Sequence, residues 1–186
     1  MTKVLIVYAT DYQNTLKMAQ ALADGVNSVK DCQAVLKPAD QAGADDLEAC
    51  QGLVLGSPVH MGSPDWRVKQ FIDTVCSKAW MKDALVGKVG GVFVTGSGYG
   101  SSGGGAELTM LAMLNNMAEL GLVIIPFPKS SPGYAEAGLQ WGPCARTADG
   151  KFNQVGISAG ALAAAKSHGT NIARAAAAIN GVKIFA

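Results

Sequence analysis

The chain has 186 residues, 49% of them hydrophobic, enough to bury one sizeable core and consistent with a single domain over residues 1–186. Its 15 Lys and Arg nearly balance its 14 Asp and Glu, and a net charge of +1 excludes both the basic surface of a nucleic-acid binder and an acidic tail. No apolar stretch is long enough to span a bilayer, no secretory leader is expected before the first apolar run, and four scattered cysteines without a C-x-x-C make neither a zinc knuckle nor a redox dithiol, so reduced thiols and a cytoplasmic setting are expected.

In chain order, residues 4–8 (VLIVY) form a short continuous apolar run rich in branched side chains, the pattern of a strand buried on both faces. Residues 15–29 follow with Leu16, Ala19, Leu22, Ala23 and Val26 at helical steps of three and four. Residues 34–36 read as a weak second strand and 53–56 (LVLG) as a third. A helix begins at Pro64 and Asp65 and carries Val68, Phe71, Ile72 and Val75. Residues 89–95 (VGGVFVT) read as the fourth strand, 107–120 as a Met- and Leu-rich helix closed by Gly121, and 122–126 (LVIIP) as the fifth strand. A Pro-, Gly- and Ser-rich loop fills 127–156, and an Ala-rich helix over 157–180 closes the chain, with Gly160 and Gly169 as weak points. Alternating strands and helices imply right-handed crossovers and a doubly wound parallel α/β sheet. The 127–156 loop exceeds ordinary connection lengths and is either a functional element or a flexible surface excursion.

In such a sheet, ligands bind beyond the carboxyl ends of the strands, so the segments after strands one, three and four are the ones to read. The first is Ala9-Thr10-Asp11-Tyr12-Gln13-Asn14-Thr15, which ends at a helix start. Backbone N–H groups there, with threonine hydroxyls, suit an anion, and the absence of Lys or Arg narrows it to one phosphate monoester. An ordinary strand-to-helix turn with a Thr or Asn cap fits the same residues. The second segment, Ser57-Pro58-Val59-His60-Met61-Gly62-Ser63-Pro64, is stiffened at both ends by proline, and Gly62 permits a turn or a close approach to a flat ligand. Met61 has the chemistry to pack on an aromatic ring, and His60 reads equally as an exposed loop histidine. The third, Thr95-Gly96-Ser97-Gly98-Tyr99-Gly100, runs on through Ser101, Ser102 and three further glycines. Residues 98–103 match G-x-G-x-x-G, but after the fourth strand and without the later acidic residue, so a dinucleotide reading is rejected. A phosphate cradle, a stiff wall and a glycine-rich cradle together favour FMN, with its one phosphate and one planar ring. No metal site is indicated.

These three loops resemble the flavodoxin superfamily, and more closely its NAD(P)H:quinone oxidoreductases of the tryptophan-repressor-binding-protein (WrbA) type. The resemblance runs from Lys3 to about Val182 and is strongest from Gly56 to Asp73, from Trp80 to Lys88 and from Glu107 to Pro126, with Trp141-Gly142-Pro143 matching the last loop. It implies a flavodoxin-like sheet of five parallel strands in the order 2-1-3-4-5 with helices on both faces. It places Thr10, Tyr12, Gln13, Asn14 and Thr15 on the FMN phosphate. Pro58, Val59, His60, Met61 and Gly62 would line one side of the ring, and Thr95, Gly96, Ser97, Gly98, Tyr99 and Gly100 the other. Gln13 stands where that family has Gly, His60 and Met61 where close relatives have Arg and Phe, and Glu119 and Leu120 where they have a histidine pair.

The implied function is two-electron transfer from NAD(P)H through FMN to a quinone or similar small-molecule acceptor. No side-chain acid or base is required by it; His60 is the candidate for stabilising charge near the ring, and Trp141 for roofing the substrate side. An FMN-dependent electron carrier of flavodoxin type is the alternative, although a near-neutral chain lacks the acidic field that steers carriers to their partners. A scaffold that has lost FMN is a third. The resemblance also implies a homo-oligomer, a dimer or tetramer.

Overall fold

The computed structural model describes residues 1–98 and 102–185. Strand β1 (Thr2–Tyr8) pairs in parallel with β2 (Cys32–Pro38) on one side and β3 (Gly52–His60) on the other. Beyond β3 lies β5 (Val89–Gly96), again parallel. The short strand β4 (Ser63–Pro64) turns back on β3. The order of the first four long strands is the expected one.

The fifth position differs from the expectation of one strand over 122–126. It is shared by β6 (Val123–Ile124), beside the start of β5, and β8 (Gly142–Arg146), beside its end. The ladder goes no further along the first segment: after the Ile125 N–H has bonded the Gly90 carbonyl at 2.9 Å, the next donor in register, the Phe127 N–H, bonds the Gln140 carbonyl at 2.9 Å instead. β8 then pairs Cys144, Ala145 and Arg146 with Val94, Thr95 and Gly96, and β7 (Gly138–Leu139) closes a hairpin on it. The sheet therefore has more than five strands.

Both faces of the sheet are covered, which is why its strands read as unbroken apolar runs. Along β1, Val4 and Ile6 face helices α1 (Asn14–Asn27) and α7 (Ala159–Ile179). Leu5 and Val7 face the other layer, built from α2 (Ala44–Ala49), α3 (Trp66–Phe71), α4 (Ser77–Trp80) and α5 (Ala106–Glu119). A π-helical turn, Ile72–Cys76, joins α3 to α4. The glycines of α1 and α7 let those helices approach closely: a Cβ on Gly25 would run into the Lys166 carbonyl, and one on Gly169 into that of Leu22. Gly169 is thus a packing requirement as well as a local weakness in the helix.

The segment 127–156 is built rather than featureless. It contains helix α6 (Tyr134–Ala137), the β7–β8 hairpin, and a bridge between Ala148 and Gln154. Asp149 pins the turn of that bridge by accepting from the Lys151 and Asn153 backbone N–H groups and from Asn153 Nδ2.

Candidate functional site

The sheet register sets the site. Tyr8 of β1 lies beside Gly56 of β3, and Gly56 beside Phe93 of β5, so the segments that follow these strands leave the sheet side by side. There Thr10, Tyr12, Asn14, Thr15, Pro58, Val59, His60, Thr95, Gly96 and Ser97 line one cleft of about 130 Å³, with Asp11 among them. That is well below the roughly 300–1,000 Å³ of pockets that enclose a whole drug-sized ligand. Such a cleft grips one end of a ligand and leaves the rest at the surface.

At the floor, the buried Thr15 and Thr95 hydroxyls are 2.8 Å apart, tying the first loop to the third. The Thr10 hydroxyl is also buried and, among the described residues, has no hydrogen-bond partner. Helix α1 is preceded by Gln13, whose side chain makes no capping bond. Its first N–H groups therefore lack both intrahelical and side-chain partners. An uncapped 14-residue helix and an orphaned buried hydroxyl at one point are the chemistry of an anion cradle. Gln13 itself has φ 63° and ψ 0°, a left-handed backbone that glycine adopts more readily.

The second segment is a hairpin. Val59 pairs with Pro64 and His60 with Ser63, and the two turn residues, Met61 and Gly62, both have positive φ (49° and 78°). Gly62 supplies the turn and lies against Gly105, where a Cβ would strike its backbone. Met61 points fully into solvent and lies outside the cleft lining. Gly98 lies in a neighbouring cleft of about 250 Å³, with Gly96, Glu107, Cys144 and Arg146. Tyr99 and Gly100, expected on the ring, fall outside the described residues. Trp141 is half-buried and packs against the core on the α5 side, away from the cleft lining.

Four groups that loop-by-loop reading passed over complete the site. Thr147 and Gln154 come from the long 127–156 segment and line the cleft, held there by Thr147 N–H bonding the Gly96 carbonyl at 2.9 Å. Asp65 and Arg67 come from the start of α3. Asp65 is fully buried and caps that helix by accepting from the Arg67 N–H at 2.8 Å. Its own N–H bonds the buried Ser57 hydroxyl. The Arg67 guanidinium donates to Asp65 through Nε (2.9 Å) and Nη2 (2.7 Å), and Nη2 also donates to Asp11 at 2.7 Å. His60 stands between the same carboxylates, 3.1 Å from Asp65 and 3.4 Å from Asp11. Only the sequence of the N-cap, Asp65 two residues before Arg67, signals any of this locally.

Burial pushes the Asp65 carboxyl up, but the hydrogen bonds and charge of Arg67 outweigh it and hold the group below the usual carboxylate range. The bond to Asp65 in turn raises Arg67 above its ordinary value. The ligand atoms of Asp11, His60 and Asp65 lie within 4.8 Å of one another, a spacing compatible with a metal, yet the Arg67 guanidinium already sits on both carboxylates. Thiol chemistry has no support here: burial pushes Cys76 up to about 12 and Cys144 up to about 11, leaving both protonated.

Comparison with known proteins gives a consistent picture. The family model for NADPH-dependent FMN reductases matches residues 15–132. The chain is 34% identical over 124 residues to a flavodoxin of Aquifex aeolicus, covering 67% of this chain and 64% of that protein, just under two thirds of its length. It is 32% identical over 155 residues to an NAD(P)H dehydrogenase (quinone) of Syntrophobacter fumaroxidans, covering 70% and 74% respectively. Among solved structures it resembles a WrbA-like flavodoxin from Agrobacterium tumefaciens, with a TM-score of 0.73, 25% identity and 96% and 99% of the two chains covered. An archaeal flavodoxin (TM-score 0.67, 18% identity, 95% and 99% covered) shares the fold.

Proposed function

Because this chain belongs to the NADPH-dependent FMN reductase family, we propose that it is an FMN-dependent oxidoreductase passing two electrons from NAD(P)H to a quinone or similar small-molecule acceptor. The observation that carries the reading is the anion cradle at Thr10–Thr15: an orphaned buried hydroxyl beside the uncapped start of α1. Those residues fit one phosphate monoester, the single anionic group of FMN.

In this reading Thr10, Tyr12, Gln13, Asn14 and Thr15 hold the phosphate. Pro58, Val59, His60, Met61 and Gly62 border the ring on one side, and Thr95, Gly96, Ser97 and Gly98, with Tyr99 and Gly100, on the other. FMN, when bound, would supply the two-electron redox chemistry between nucleotide and acceptor. The protein's residues bind and orient it: dipoles at α1 balance the phosphate, the Met61–Gly62 hairpin stiffens one wall, and His60 lines the cleft. A shallow cleft leaves the ring accessible to nucleotide and acceptor in turn. The quinone-type acceptor is supported by the Syntrophobacter relative.

The similarity to the Aquifex flavodoxin favours a second reading, an FMN-based electron carrier. The net charge of +1 weighs against it, since carriers rely on a strong field for steering. We place the protein in the cytoplasm on the strength of its four free thiols and propose a homo-oligomer, because Tyr12, Met61, Trp66 and Phe152 expose large apolar surfaces. No helix of the described residues is long and apolar enough to cross a membrane. Titration with FMN, followed by flavin fluorescence, tests the reading: saturable one-to-one binding is expected, and protein that ignores FMN refutes it.

A further inference from the structure

Residues 10–14 must hold a defined shape to present N–H groups to a phosphate, yet they have little to hold it. Asp11, Tyr12 and Gln13 are exposed, and Gln13 occupies a left-handed backbone unfavourable to its type. Among the described residues, the only side-chain bonds and ion pairs that reach residues 10–14 come from Arg67 and His60, and both end on Asp11. Arg67 is well placed for this. Its backbone sits in the first turn of α3, and its guanidinium is locked two-pronged onto the buried Asp65. Asp65 is fixed in turn by the Ser57 hydroxyl at the end of the sheet. The tether to Asp11 therefore runs from a rigid base and not from another loop.

Charge leads to the same residue. Asp11 and Asp65 put two carboxylates beside the cradle, where a phosphate dianion would be repelled; Arg67 is the cation in contact with both. We propose that Arg67 is a positioning residue for the phosphate end of the cofactor, fixing the Thr10–Thr15 loop through Asp11 and cancelling the carboxylate charge there. The proposal rests on the FMN reading and goes beyond it, because it assigns the function of the phosphate loop to a side chain on a different element.

A phosphate-specific role separates from a structural one by comparing FMN with riboflavin, which has the same ring and no phosphate. Both are titrated by fluorescence quenching into wild-type protein, Arg67→Leu and Arg67→Lys. Arg67→Leu is expected to weaken FMN by about tenfold or more while riboflavin moves by less than about twofold, and Arg67→Lys to recover part of the FMN loss by restoring one charge. Parallel weakening of both flavins, or unchanged FMN affinity, overturns the proposal. If Arg67→Leu fails to fold by circular dichroism, Arg67→Lys decides alone: a selective FMN deficit supports the assignment, and equal affinities for wild type and variant overturn it. Wild-type protein that binds no FMN refutes the underlying reading instead, so the two failures are distinct.

Discussion

His168 offers a quantitative test of the packing between α7 and the sheet. Its side chain is completely buried, with both ring nitrogens unpartnered among the described residues. It meets the Phe127 ring edge-on at 5.3 Å and lies against Gly91 of β5. Burial alone drives its pKa down to about 3. The imidazole thus stays neutral in the fold but takes up a proton in the unfolded chain below about pH 6.5. Acid therefore favours unfolding: the loss begins as pH falls through the unfolded value and stops growing only near the folded one. The linkage comes to about 2 kcal/mol by about pH 5 and roughly 4 kcal/mol by about pH 3. His168→Leu, close in volume, removes this contribution while every other titrating group stays. Urea unfolding of both proteins at about pH 7 and about pH 5 should show wild type losing about 2 kcal/mol more than the variant between the two pH values. Parallel losses would show that His168 is hydrated or partnered in solution, and would refute the description of a dry site.

Two further substitutions test the first loop. Gln13→Gly relieves a left-handed backbone at φ 63° and should raise stability by about 0.5–1 kcal/mol, seen as a higher thermal midpoint; no gain would mean the side chain compensates for its own strain. Thr15→Ala removes the hydroxyl facing Thr95 at 2.8 Å and should weaken FMN binding by about 1 kcal/mol or more; unchanged affinity would exclude Thr15 from the phosphate contacts.

Much of this architecture was legible from local pattern. Runs such as 4–8 and 89–95 are apolar throughout because both faces of the sheet are covered, and the Val4/Ile6 and Leu5/Val7 alternation sorts them between layers. The loops after the first, third and fourth strands converge because parallel pairing places their ends in one row. The apolar run 122–126 reads as the fifth strand, but only Val123 and Ile124 pair with β5; the next donor in register, the Phe127 N–H, bonds the Gln140 carbonyl, and the remaining half of β5 pairs with Cys144–Arg146, far along the chain. Thr147 and Gln154 carry no local signal; tertiary packing of a 30-residue excursion brings them to the cleft. Arg67 was hidden for a related reason, since its partner Asp11 is 56 residues away. The burial of His168, by contrast, was written in helical spacing, with Ala161, Ala164, Ala165 and Ile172 marking the same buried face.

If the first loop serves a flavin that reacts with a nicotinamide nucleotide, anaerobic spectroscopy of the FMN-loaded protein will show that reaction. NADH or NADPH should bleach the flavin absorbance within a turnover-relevant time, and benzoquinone should restore it. An FMN-loaded protein that reacts with neither nucleotide, yet holds a stable blue semiquinone on one-electron reduction, would contradict the oxidoreductase and establish the carrier.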